Sequence, residues 1–227
     1  RRRVREAGIH AAEFDLHRML HTTVRMVSPA ALEKNLRLLV RISPQAPFRL
    51  IGDSHHLREI LLNLLSNAIK FTQTGYVAMQ VEPIVVTDDT VRLRFEIRDT
   101  GIGIATEALG RIWESFAQED TGTNRRYGGT GLGTTIAKQL AELMNGRIAV
   151  SSIKGRGTVF WCDLPFQRPQ PAVEAAVSGA RVLVLTADAE MVQRLQQSIA
   201  NIPGTLLATA NAAETIAALG RGIRLGN

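Results

Sequence analysis

The run Val91-Arg92-Leu93-Arg94-Phe95-Glu96-Ile97-Arg98-Asp99 passes straight into Thr100-Gly101-Ile102-Gly103-Ile104. Val91, Leu93, Phe95 and Ile97 alternate with Arg92, Arg94, Glu96 and Arg98, the period of two that marks a strand with one face on a core and the other toward water. The alternation ends in a carboxylate, Asp99, and then in two glycines that let the backbone turn sharply and approach a ligand. A carboxylate at a strand end can accept a hydrogen bond from an exocyclic amine. Adenine carries that amine where guanine presents a carbonyl, and an unmet buried acceptor costs about 1–3 kcal/mol. Taken alone, Asp-x-Gly-x-Gly also suits a plain turn.

Upstream, the spacing predicts a long helix over Asp53 to Phe71 with Asp53 as its N-cap. Leu57, Ile60, Leu61, Leu64, Leu65 and Ala68 form its apolar face. Asn63, Asn67 and Lys70 fall at i, i+4 and i+7 on another stripe, within Asn63-Leu64-Leu65-Ser66-Asn67-Ala68-Ile69-Lys70-Phe71. Asparagine is a poor mid-helix residue, so two on one stripe ask for a reason beyond a solvated face. An amide oxygen can join the sphere of Mg²⁺, and a lysine can sit on phosphate oxygens as a point charge.

Downstream, Tyr127-Gly128-Gly129-Thr130-Gly131-Leu132-Gly133 opens a helix predicted over Leu132 to Met144 and stopped by Asn145-Gly146. Glycines there leave backbone N–H groups open at the positive helix end, a phosphate site. A P-loop needs Lys where Thr134 stands, and the spacing does not fit a dinucleotide fingerprint. Arg111-Ile112-Trp113-Glu114-Ser115-Phe116 lies before the polar stretch 117–130. Phe116 can anchor the hinge of a lid over that stretch, from which Arg125 and Arg126 reach a terminal phosphate; packing of a helix end on the core explains the same apolar residues.

Around these motifs the sequence predicts a helix over Phe14 to Lys34, strands over Leu36 to Ile42, Tyr76 to Val86 and Val91 to Arg98, and a short helix over Glu107 to Trp113. A hairpin of Arg147 to Ser152 with Thr158 to Leu164 turns at Lys154-Gly155-Arg156-Gly157. Pro44 and Pro47 break the pattern between the first strand and the long helix. Composition shifts at Gln167, and Gln167-Arg168-Pro169-Gln170-Pro171 reads as a linker. Beyond it, strands over Val182 to Leu185 and Leu206 to Ala208 alternate with helices over Glu190 to Ile199 and Ala212 to Leu219.

The 227 residues, 45% hydrophobic and 21% charged, are those of an ordinary globular chain and exclude disordered and collagenous classes. No apolar run reaches the roughly 18–20 residues of a membrane helix, and Arg1-Arg2-Arg3-Val4-Arg5 has no signal core behind it. The lone Cys162 excludes an internal disulfide and points to a reducing compartment. Net charge is +6, carried mainly by arginines, which suits phosphate-bearing or acidic partners. The arginines are dispersed and aromatic residues few, so no nucleic-acid partner is expected.

In order and spacing the motifs resemble the catalytic ATP-binding domain of sensor histidine kinases, within the superfamily shared with type II topoisomerases, Hsp90 and mismatch-repair ATPases. Asn63 to Thr72 resembles the N-box, Asp99 to Ile104 the first glycine box and Trp113 to Phe116 the F-box. Gly129 to Gly133 resembles the second glycine box and Gly155-Arg156-Gly157-Thr158 a third. The resemblance covers about Phe14 to Phe166. It implies a two-layer α/β sandwich, a mixed sheet backed by helices, with ATP and Mg²⁺ between helices and lid. Asp99 would bind the adenine amine, with Phe71, Gly101, Gly103, Ile104 and Phe116 around the nucleotide. Asn67 would hold Mg²⁺, and Asn63 and Lys70 would lie near the phosphates. Gly129, Thr130, Gly131, Leu132 and Gly133 would line the triphosphate. Asn63, Lys70, Arg125 and Arg126 would act in transfer of the γ-phosphoryl group to a histidine. Asn63 stands where the hydrolases of the superfamily carry a water-activating glutamate.

On this resemblance, residues 1–12 are the end of a dimerisation helix and linker, 13–166 the catalytic ATP-binding domain, 167–180 a linker and 181–227 a partial receiver-like α/β segment. Thr186 and Ala187 occupy the places of a receiver's acidic pair, so no metal site is expected there. None of His10, His17, His21, His55 and His56 lies in a phosphoacceptor motif. The implied partners are therefore a histidine-containing dimerisation domain, in a homodimeric parent, and a receiver domain or response regulator. The implied location is cytoplasmic, as the cytosolic part of a membrane-anchored hybrid sensor. A non-catalytic ATP-binding docking module is the alternative.

Overall fold

A computed structural model describes residues 10–113, 132–169, 180–185, 193 and 204–209. The chain divides into two compact units, Arg1–Gln170 and Pro171–Asn227. In the first, the described elements run β1 (Ala12–Asp15), α1 (Leu16–Glu33), β2 (Arg37–Ile42), β3 (Arg49–Gly52), α2 (Ser54–Phe71), β4 (Tyr76–Val86) and β5 (Thr90–Asp99). Two single-turn 3₁₀ helices follow, Thr106–Ala108 and Arg111–Trp113, then α3 (Gly133–Leu143), β6 (Arg147–Ile153) and β7 (Gly157–Gln167).

One sheet carries the order β1-β3-β7-β5-β4-β2, with β6 also paired to β7. β2 and β4 run parallel, Arg37 opposite Tyr76, and the other pairs are antiparallel, so the sheet is mixed. β5 takes one edge of β7 along Val159 to Gln167. β6 takes the other edge along Gly157 to Asp163, and β3 touches that same edge at Gln167.

The alternation in β5 appears directly in burial: Val91, Leu93, Phe95, Ile97 and Asp99 are buried, and Arg92, Arg94, Glu96 and Arg98 are not. The buried face meets Leu16, Leu20 and Val27 of α1, Leu57, Ile60, Leu61, Leu64 and Leu65 of α2, and Ala137 and Ala141 of α3 in one apolar cluster. A single helix layer therefore covers one face of a mixed sheet, which is the expected two-layer α/β sandwich. Burying a side chain such as Phe95 contributes about 1.5–3 kcal/mol.

Both long helices start on aspartate. Asp15 accepts from Arg18 N–H, and Asp53 from the His55 and His56 N–H groups. The first helix starts at Leu16 rather than Phe14, because Phe14 belongs to β1, paired with Leu50 of β3. Neither four-residue strand is signalled by the sequence pattern. The short helix expected over Glu107 to Trp113 is instead two 3₁₀ turns split around Gly110. β7 runs on to Gln167 because its last residues pair with Thr90 to Leu93.

In the second unit, β8 (Ala180–Leu185) and β9 (Gly204–Thr209) pair in parallel, Ala180 opposite Gly204. A parallel pair cannot be joined by a tight turn and needs a crossover connection. The helices expected over Glu190 to Ile199 and Ala212 to Leu219, like Arg1 to Gly8, lie outside the described residues, Gln193 excepted.

Candidate functional site

α2, the first glycine box, the β6–β7 hairpin and the start of α3 meet at one end of the sheet. Asp99, the last residue of β5, is 7% exposed. Its Oδ1 accepts the N–H of Gly101 at 2.8 Å and of Thr158 at 3.2 Å. Burial raises its pKa above the ordinary aspartate value, and the two N–H bonds offset only part of that rise. Among the described residues no cation contributes. Asp99 is thus a costly buried acceptor held by neutral backbone donors.

The glycines beside it are sterically required. A Cβ on Gly101 would lie 2.5 Å from the Phe71 carbonyl oxygen at the end of α2. Gly103 has φ +65°, and a Cβ there would run into the backbone of Ile153. Ile102 N–H donates to Phe71 O, and Gly155 N–H donates to Ile102 O at 2.7 Å. Ile104 N–H donates to Ser152 Oγ at 2.8 Å. These bonds tie the first glycine box to the helix end on one side and to the hairpin on the other.

Asn63 and Asn67 are half-buried, not on a solvated face. They turn toward α3: a Cβ on Gly133 would come within 3.3 Å of Asn63 Oδ1 and 3.4 Å of Asn67 Nδ2. Gly133 opens α3, and its N-cap Leu132 makes no side-chain capping bond. The two amides therefore stand against the positive end of a helix. Lys70 lies on the same helix with Nζ 4.8 Å from the centroid of the Phe71 ring. Partial burial lowers its pKa below the usual lysine value.

Of the residues the sequence points to, the structure brings Asp99 and Gly101 to Phe71, Gly103 and Ile104 to the hairpin, and Asn63 and Asn67 to Gly133. Phe116, Arg125, Arg126, Gly129, Thr130 and Gly131 lie outside the described residues. Thr134 Oγ1 donates to Ile112 O at 2.6 Å and Thr135 Oγ1 to Trp113 O at 3.3 Å, so the two ends of that stretch are joined. Trp113 packs edge-on against Phe160 at 6.0 Å.

Three residues escape sequence reasoning. Thr158 donates its backbone N–H to Asp99, and only its place in the third glycine box hints at this. Ser152 bonds Ile104 and the hairpin, with no sequence signal. Lys34, just after α1, caps α2, its Nζ donating to the carbonyls of Ile69 and Lys70 at 2.8 Å and of Thr72 at 3.3 Å. A cation at a helix C-terminus is favourable, but the 35-residue separation hides it.

The five histidines have different surroundings. His10 N–H donates to Asp53 Oδ2, His17 stacks on Phe48, and His56 Nδ1 lies 2.8 Å from Asp53 Oδ2 but out of line for a hydrogen bond. His21 and His55 are exposed. No helix among the described residues is long and apolar enough to cross a membrane.

The model of the family of histidine kinase-, DNA gyrase B- and HSP90-like ATPases matches residues 52–168. The sensory/regulatory protein RpfC of Xanthomonas campestris pv. campestris is 41% identical over 176 residues, which are 76% of this chain and 24% of RpfC. The sensor histidine kinase GacS of Pseudomonas protegens is 37% identical over 187 residues, 79% of this chain and 20% of GacS. The chain thus spans a quarter or less of these relatives. The crystal structure of full-length ShkA in complex with AMPPNP aligns at TM-score 0.63 and 30% identity, covering 92% of this chain and 43% of that one. The matched stretch runs from the end of β3 through β7 and takes in α2, α3 and strands β4 to β7, and the chain belongs to the family of histidine kinase-, DNA gyrase B- and HSP90-like ATPases, with sensor histidine kinases of two-component systems as its relatives.

Proposed function

We propose that residues 13–166 bind ATP with Mg²⁺ and transfer its γ-phosphoryl group to a histidine on a dimerisation domain outside this chain. The supporting observation is the convergence of Asn63 and Asn67 on the uncapped start of α3, on the same α2 whose Phe71 carbonyl abuts the glycine box of the buried acceptor Asp99. One end of this site takes a base with an exocyclic amine, and the other takes a polyanion.

In this reading Asp99 accepts from the adenine amine, and the first-turn N–H groups of α3 donate to phosphate oxygens. Lys70, Arg125 and Arg126 neutralise the charge of the terminal phosphate. Among the described residues no group of three acidic, histidine or cysteine side chains could hold a metal. The neutral amide oxygens of Asn63 and Asn67 fit Mg²⁺ that takes its other ligands from phosphates and water. When bound, Mg²⁺ supplies charge neutralisation on the triphosphate, and Asn67 would hold it. Transfer breaks the bond between the β–γ bridging oxygen and the γ-phosphorus and forms a nitrogen–phosphorus bond, leaving ADP. Asparagine at 63 provides no base to activate water, which favours transfer over hydrolysis.

The parent would be a homodimeric hybrid sensor with its kinase part in the cytoplasm. Residues 1–12 would continue a dimerisation helix, 167–180 would link the units, and 181–227 would begin a receiver-like segment. The test mixes this chain with Mg²⁺, radiolabelled ATP and a separately produced dimerisation domain. Acid-labile, base-stable label on a histidine supports the kinase. Tight ATP binding without label would make the chain a non-catalytic docking module, and absence of ATP binding would remove the reading altogether.

A further inference from the structure

Ser152 occupies the centre of a hydrogen-bond network whose proton positions can be assigned by counting. Its Oγ accepts from Ile104 N–H at 2.8 Å, lies 2.9 Å from Gly157 O, and lies 2.9 Å from Thr158 Oγ1. A serine hydroxyl has one proton and two lone pairs. The amide of Ile104 can only donate and takes one lone pair. The carbonyl of Gly157 can only accept and takes the proton. The remaining lone pair faces Thr158, so the arrangement that satisfies every group has the Thr158 hydroxyl donating to Ser152. Thr158 Oγ1 is then left with acceptor capacity alone. Thr158 is also the residue whose N–H holds Asp99 Oδ1 at 3.2 Å. Register places Ser152 opposite Thr158 on the helix-covered face, next to the end of β5.

We propose that Ser152 is a positioning residue that fixes the Thr158 hydroxyl as a hydrogen-bond acceptor beside Asp99, and that this fixed polarity makes the site select a 6-amino purine over a 6-oxo purine. The inference deepens the ATP reading and rests on it. Asp99 and Thr158 together present acceptors and no side-chain proton. A 6-amino group, with two N–H donors, meets such a pair, whereas a 6-oxo group meets it lone pair to lone pair. Were Ser152 absent, the Thr158 hydroxyl could rotate and donate to the carbonyl, and the discrimination would relax.

The experiment measures dissociation constants of the full chain for ATP and for inosine triphosphate, which carries a carbonyl at the six position. The proteins are the parent, Ser152→Ala, Thr158→Val and the double variant. The expected result is that S152A narrows the preference for ATP by about tenfold, mainly by gaining affinity for inosine triphosphate. S152A should have no effect on that preference in the T158V background, because the hydroxyl it frees is gone. A merely structural role would weaken both nucleotides together and leave their ratio unchanged, and that result would overturn the proposal. So would an equal shift of the ratio in both backgrounds. Where S152A fails to fold, Ser152→Cys keeps the volume, weakens the hydrogen bonds and should shift the ratio in the same direction. Failure of the parent chain to bind ATP would count against the proposed function rather than against this assignment.

Discussion

Asp99 and Asp163 are buried carboxylates on opposite faces of one sheet, and they are treated in opposite ways. Asp163 sits on the open face of β7, wholly inaccessible, directly opposite Arg94 of β5 and Arg147 of β6. Arg94 donates to both its oxygens at 2.7 and 2.8 Å, and Arg147 to Oδ2 at 2.9 Å. Burial alone would raise its pKa, but the two guanidinium groups hold it below the usual range. Asp99, on the helix-covered face, has two neutral N–H donors and a raised pKa. A carboxylate satisfied by cations locks three strands together. A carboxylate buried without one costs stability, a cost that the proposed adenine amine would offset on binding.

The contrast can be broken by substitution. Asp163→Ala leaves two arginines without their acceptor and should cost about 3 kcal/mol, the low end for a buried pair because Arg147 stays 71% exposed. Thermal denaturation should then show a fall of roughly 6–12 °C, with ATP affinity within about twofold of the parent. Asp99→Asn should do the reverse. An amide oxygen can keep the bonds from Gly101 and Thr158, so the melting temperature should hold or rise, while calorimetry should show ATP binding at least about tenfold weaker. Unchanged affinity would remove Asp99 from the adenine site.

Smaller effects sharpen the same division. Asn67→Ala should weaken ATP binding about fivefold in the presence of Mg²⁺ and much less without it. Equal losses in both conditions would mean that Asn67 supports the fold instead. The two aspartates also give opposite pH signs. Because the Asp99 pKa is raised, its acceptor is lost as pH falls through a value above the ordinary aspartate range. ATP affinity should decline there in the parent and stay flat in D99N. Its unfavourable burial grows as pH rises through the ordinary and then the raised value. The pKa of Asp163, and of Asp53 where burial is outweighed by the N–H groups of His56, His10 and His55, is lowered. Their stabilisation is present above the ordinary value and is lost as pH falls through the depressed one.

Strong periodicity made much of the architecture legible: β4 spans Tyr76–Val86 as the sequence indicates, and α2 runs from its Asp53 cap to Phe71. β1 and β3 were not legible, because four residues carry little alternation and the pair gains its identity from Ala12 meeting Gly52, 40 positions away. Asn63, Asn67 and Asp99 stand out in sequence because each violates a local preference, an amide inside a helix or a carboxylate at a buried strand end. Ser152, Thr158 and Lys34 violate nothing locally. A serine in a strand and a lysine after a helix are unremarkable until partners 6 to 48 residues away are known.

The hydroxyls of Thr134 and Thr135 carry a last consequence. By fastening the first turn of α3 to the carbonyls of Ile112 and Trp113, they give two segments some twenty residues apart a shared mooring. Replacing both threonines with valine should therefore release Ile112 and Trp113 from the start of α3 at one stroke.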